Sequence, residues 1–137
     1  MTEGRTADLV RRCFAAYQAK DRAAIERLIA TDFHFTSPYD DHIDRAAYFA
    51  RCWPNAGKMQ HFRELRLFEQ GDEAFILYEA RFEGTGTFRN TEFFRTEGDQ
   101  IKAVEVYFGE PAGNAENNEW GAGGSAEGRR ADHGGSP

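Results

Sequence analysis

Four apolar-and-charged alternating stretches follow one another with only a few residues between them. They run over about Gln60–Glu69, Ala74–Glu83, Thr87–Thr96 and Gln100–Phe108. Each alternates with the period of two that a pleated strand imposes. The breaks are Gln70-Gly71-Asp72, Gly84-Thr85-Gly86 and Glu97-Gly98-Asp99. Breaks this short cannot hold a crossover helix, so the four strands form an antiparallel meander.

The part before the meander reads as helical. Leu9, Val10, Cys13, Phe14 and Tyr17 recur at helical spacing between Thr6 and Lys20. Asp21 can cap a second helix, Arg22 to Ile29, through its carboxylate. Asp32 to Ser37 alternates and stops at Pro38, which predicts a short strand. Tyr39-Asp40-Asp41-His42 reads as a polar loop. Asp44 is a suitable cap for a third helix, Arg45 to Cys52, ending before Pro54. Asn55-Ala56-Gly57 reads as a turn.

The chain has 137 residues, enough for one domain. All 12 Phe lie between Phe14 and Phe108, so that region can build a core without metals or disulfides. Residues 111–137 hold seven of the 14 Gly and one large apolar residue, Trp120. Burial there cannot offset the entropy of ordering, which predicts a disordered tail after a domain over 1–110.

Cys13 and Cys52 each sit among apolar residues of a predicted helix, with no metal-ligand spacing. They read as free buried thiols, which fits a reducing compartment. No cofactor or metal is expected. No run of 18 apolar residues occurs, so no membrane association is expected. MTEGRTADLV lacks the pattern of a secretory signal, and the cytoplasm is the expected location. A formal net charge of −6 argues against nucleic acid as a partner. Gly84-Thr85-Gly86 is no phosphate loop, because no helix follows it.

Strand alternation also assigns faces. Glu64, Arg66, Glu79, Arg81, Glu92 and Glu105 are expected on one common face, with Phe62, Phe68, Phe75, Leu77, Phe94 and Tyr107 among them. A face both charged and aromatic predicts a homodimer through it. The opposite face would carry the core and any pocket.

Helix, helix, strand, helix and a four-stranded meander resemble the nuclear transport factor 2-like superfamily, and within it the SnoaL-like and ketosteroid-isomerase-like proteins. The residues carrying the likeness are Val10 to Tyr17 before Lys20-Asp21, Phe35-Thr36-Ser37-Pro38, and Val106 to Glu110. The resemblance implies an α+β fold: a cone-shaped roll of three N-terminal helices packed on a strongly curved antiparallel sheet, with an apolar cavity at the open end. It also implies dimers through the convex sheet face. The positions that carry the catalytic groups of the isomerases fall on Cys13, Ser37 and Thr91, which cannot perform that acid–base chemistry. The superfamily also includes cyclases, dehydratases and epoxide hydrolases, so a small apolar ligand or substrate is implied. The readings kept open are an acid–base enzyme and a non-catalytic binding or dimerisation module.

Two groups of candidate residues follow. Asp41 and His42 are the expected acid–base pair, because a carboxylate can polarise an imidazole that titrates near neutral pH. Tyr17, Ser37, Tyr39, Trp53, His61, Tyr78 and Thr91 are the expected ligand-binding wall, rings with a few hydrogen-bonding tips.

Overall fold

A computed structural model describes residues 4–109. The tail expected from 111 onward lies outside the described residues. The elements are α1 (Arg5–Ala19), α2 (Arg22–Leu28), β1 (Ile29–Ser37), β2 (Asp40–Asp44), α3 (Arg45–Arg51), a 3-10 helix (Trp53–Lys58), β3 (Met59–Gln70), β4 (Glu73–Phe82), β5 (Phe88–Glu97) and β6 (Gln100–Phe108). The fold is the expected α+β roll, with three helices on a curved, mostly antiparallel sheet. No helix among the described residues is long and apolar enough to cross a membrane.

Helix α1 buries Leu9, Val10, Cys13 and Phe14, one stripe at helical spacing. Its first turn is capped from the far end of β3. The Glu69 carboxylate accepts from the Gly4 N–H at 2.8 Å and the Ala7 N–H at 3.0 Å. A side chain at position 4 would meet that carboxylate, since a Cβ there would lie 2.7 Å from Glu69 Oε2. Asp21 caps α2 by accepting from Ala24 N–H at 3.1 Å. Asp44 caps α3 by accepting from Ala47 N–H at 2.9 Å. Both caps are as expected.

The six strands lie in the order β2-β1-β6-β5-β4-β3. Tyr39 to His42 is not a simple loop. Asp40–Asp44 forms β2 and pairs antiparallel with β1. On its other side β1 pairs parallel to β6. Asn55 to Gly57 lies in the 3-10 helix that continues α3. Gly71 and Gly98 adopt positive φ of 62° and 60° in the β3–β4 and β5–β6 turns, a conformation that glycine takes without steric cost.

The first half of β3 and the whole of β5 present the face opposite to the expected one. In β3, Phe62 stacks on Phe14 of α1 at 4.6 Å. Glu64 receives a two-pronged hydrogen bond from Arg11, at 2.9 and 2.8 Å. Phe62 and Glu64 therefore face inward. A bulge between Glu64 and Arg66 adds one residue and turns Leu67 and Glu69 inward beyond it. His61 lies on the convex face, where its Nε2 is 3.1 Å from Glu79 Oε1.

In β5 the inward set is Phe88, Asn90, Glu92, Phe94 and Thr96, all buried. Glu92 and Phe94 are thus removed from the expected convex lattice, and Thr91 is removed from the cavity wall. Register is the reason. Asn90 opposes Tyr78, Glu92 opposes Ile76 and Phe94 opposes Ala74, and directly opposed residues share a face. Thr91 opposes Leu77 and Tyr107 on the convex side. Glu79, Arg81, Glu105, Phe68, Phe75, Leu77 and Tyr107 keep their expected outward placement.

Candidate functional site

The inner faces of β4, β5 and β6 curve around α1 and α3 and leave a cavity of about 90 Å³. On this measure a single water needs roughly 10–15 Å³. The space therefore suits a handful of waters or a ligand about the size of one substituted ring. Among the described residues nine aromatics line it: Phe14, Tyr17, Phe35, Tyr48, Tyr78, Phe82, Phe88, Phe94 and Phe108. Its polar lining comes from Cys13, Cys52, Asn55, Asn90, Glu92 and the three tyrosine hydroxyls. Among the described residues no Lys, Arg or His lines it.

Glu92 is the one carboxyl group in this lining among the described residues. It is 9% exposed, and burial pushes its pKa up to about 7 against an opposing hydrogen bond from Tyr78. Desolvation disfavours the charged form, and no cation among the described residues is near enough to restore it.

A chain of hydrogen bonds orients the carboxyl. The Gly109 N–H donates to Asn90 Oδ1 at 3.0 Å. That contact fixes the amide, so Asn90 Nδ2 points at Tyr78 and donates to its oxygen at 3.1 Å. The Tyr78 hydroxyl then donates to Glu92 Oε2 at 2.5 Å. Oε2 is therefore an acceptor. When Glu92 is neutral, its proton sits on Oε1, which has no hydrogen-bond partner among the described residues. Gly109 holds its place because a Cβ there would fall 1.9 Å from the Arg89 carbonyl oxygen.

A second polar spot is the hydrogen-bonded pair of Tyr17 on α1 and Tyr48 on α3. One hydroxyl donates to the other, which leaves one proton of the pair for a ligand. Burial pushes the Tyr17 hydroxyl well above its ordinary range, and likewise Tyr78. It also raises the Cys52 thiol to about 12 and pushes Cys13 up further. All four groups stay neutral around pH 7, so the thiols are poor nucleophiles.

The expected site residues divide into three sets. Tyr17 and Tyr78 line the cavity. Trp53 and Tyr39 stand behind it: Trp53 packs on Tyr17 at 5.0 Å and Tyr39 on Phe108 at 5.8 Å. Ser37, His61, Thr91, Asp41 and His42 lie elsewhere. Ser37 donates to Asp40 Oδ2 at 2.9 Å and accepts from Tyr39 N–H at 3.1 Å, locking the β1–β2 hairpin. Asp41 and His42 do contact each other, at 2.6 Å. Their side chains are 89% and 69% exposed and neither lines the cavity. The strand β2 carries them away from it, along the sheet edge.

Sequence reasoning missed Tyr48, Asn90 and Glu92. Helix period offered one signal, since Tyr48 is four residues before Cys52 and the two share a face. The signal for Glu92 was its parity with Phe88 and Phe94, readable only once the inward face of β5 is known.

The sequence matches the SnoaL-like domain family over residues 10–104. The chain therefore belongs to the SnoaL-like family. The fold is similar to that of a nuclear transport factor 2-like protein of unknown function from Cytophaga hutchinsonii ATCC 33406. That likeness has TM-score 0.64 and 21% identity, over 78% of this chain and 92% of that one. It is also similar to a candidate ketosteroid isomerase from Kribbella flavida DSM 17836, with TM-score 0.68, 19% identity, and 84% and 88% of the chains covered. An LEH-like epoxide hydrolase from M. tuberculosis gives TM-score 0.63 at 14% identity, over 76% and 82%. At these identities the likeness is one of fold. Among curated proteins no significant match is found.

Proposed function

We propose that the protein is a small-molecule enzyme in which Glu92 moves a proton on a small apolar substrate held in the aromatic cavity. The observation that carries this reading is a buried carboxyl group among rings, the one carboxyl among the described lining residues, with its pKa raised to about 7. A general base or acid works best when its pKa lies near the working pH, and a water-poor site strengthens its action. Glu92 takes the place that Asp41 and His42 were expected to fill. Oε2 is held by Tyr78, so Oε1 exchanges the proton. The free proton of the Tyr17–Tyr48 pair supplies a donor for oxygen that gains charge on the substrate.

A nitrobenzisoxazole tests this without knowledge of the natural substrate. A base removes its ring C–H proton, those electrons complete a nitrile, and the N–O bond breaks to release a coloured phenolate. Ring opening should rise as pH passes through about 7 and fall by about a hundredfold or more in Glu92→Gln. A rate that ignores both changes overturns the reading and leaves a non-catalytic binding module.

We further propose a homodimer through the convex face. Phe68, Phe75 and Tyr107 are 70%, 49% and 54% exposed. Phe68, Phe75 and Phe93 stand in one row across β3, β4 and β5, with the Phe75 and Phe93 rings 5.2 Å apart. Flanking this row, Glu79 faces His61, Arg63 and Arg89 at 3.1, 3.6 and 3.7 Å. Such a patch supports pairing with a second copy. Sedimentation should show twice the chain mass, and Phe75→Asp with Tyr107→Asp should halve it. The two free buried thiols support a cytoplasmic location.

A further inference from the structure

We infer that the ligand of this cavity is a small organic amine, apolar except for its amino group, bound as its ammonium ion between Glu92 and the surrounding aromatic faces. The inference rests on Glu92 lining the cavity, as the proposed function does, but does not require that Glu92 catalyse a reaction.

Charge is the first constraint on the ligand. The cavity holds one ionisable carboxyl and no cationic side chain among the described residues. An anionic ligand would meet Glu92 with nothing to compensate the repulsion. A neutral ligand gains shape and hydrogen bonds but leaves an ionised Glu92 without a counter-ion. An ammonium ion supplies that missing charge. The cost of desolvating Glu92 has already been met in folding, so the ion recovers it on binding.

The walls point the same way. The Phe14 ring of α1 lies 5.0 Å from Tyr78 of β4 and 5.9 Å from Phe94 of β5. Aromatic faces attract a cation through their quadrupoles, most strongly where water is excluded. Hydroxyl oxygens of Tyr17 and Tyr48 can accept N–H bonds. A charge-assisted N–H bond to Oε1 needs no rearrangement of the Asn90–Tyr78–Glu92 chain, which uses only Oε2.

The groups facing the cavity that could confuse a pH dependence are Cys13 and Tyr17 from α1, Tyr48 from α3, Cys52 after it, and Tyr78 from β4. Cys13, Tyr17, Cys52 and Tyr78 are held neutral by burial. Glu92 is the one carboxyl group among the described residues of the lining.

Calorimetry on the full chain with three ring-sized probes decides the matter: benzylamine, benzyl alcohol and benzoate. At about pH 8 the amine is protonated and Glu92 is ionised. Benzylamine should then bind about tenfold or more tightly than the alcohol, and benzoate should not bind. The preference should vanish at about pH 5.5 and in Glu92→Gln, a variant of nearly the same shape that still binds the alcohol. Equal affinity for amine and alcohol overturns the inference. So does a preference that survives in Glu92→Gln, or a failure of all three probes to bind. Nitrobenzisoxazole opening measured alongside separates the two proposals, because it reads proton removal with no amine present.

Discussion

Tyr78 donates a 2.5 Å hydrogen bond to Glu92 Oε2 from the neighbouring strand. That bond favours the ionised carboxylate, against the burial that opposes it. Tyr78→Phe should therefore raise the Glu92 pKa above about 7. Carbon-detected NMR of the carboxyl signal reads the change directly. Asn90→Leu should shift it the same way by less, because it removes the amide that polarises the Tyr78 hydroxyl.

Stability should depend on pH through the same group. The folded pKa of Glu92 is raised to about 7, whereas an unfolded glutamate titrates near 4.3. Between those values the folded chain binds more protons than the unfolded one. Stability contributed by the neutral form is present at low pH and is lost as pH rises through about 7. The loss is on the order of 3 kcal/mol for this group. Urea melts of Glu92→Gln should show a flatter profile across that window and greater stability than the parent at about pH 8.

Gly109→Ala should be destabilising by about 1–3 kcal/mol. Its Cβ would fall 1.9 Å from the Arg89 carbonyl oxygen, and backbone on both sides must yield. The displaced N–H would also release Asn90. Thermal melts and the Glu92 titration should therefore change together.

His42→Asn should leave stability within about 0.5 kcal/mol and leave nitrobenzisoxazole opening unchanged. His42 has φ of 52°, a conformation that asparagine tolerates well, and its side chain is 69% exposed. Loss of activity in this variant would return the acid–base role to the Asp41–His42 pair.

The sequence alone carried the fold class, the helix caps at Asp21 and Asp44, the strand boundaries of the meander to within a residue or so, and the inward face of β4. These depend on local chemistry: carboxylates beside free N–H groups, alternation, and glycine at sharp turns. Tertiary structure decided which way β3 and β5 face. Phe93 and Phe94 are adjacent, and Asn90, Thr91 and Glu92 are all polar, so neither parity of β5 is favoured by hydrophobicity. Its orientation follows from register against Ile76 and Tyr78. The β3 bulge between Glu64 and Arg66 likewise has no local signature. Glu92 reads in the sequence as one more charge on an outer face. Only the packing of α1 and α3 over β5 encloses it, and that enclosure raises its pKa and makes it the centre of the site.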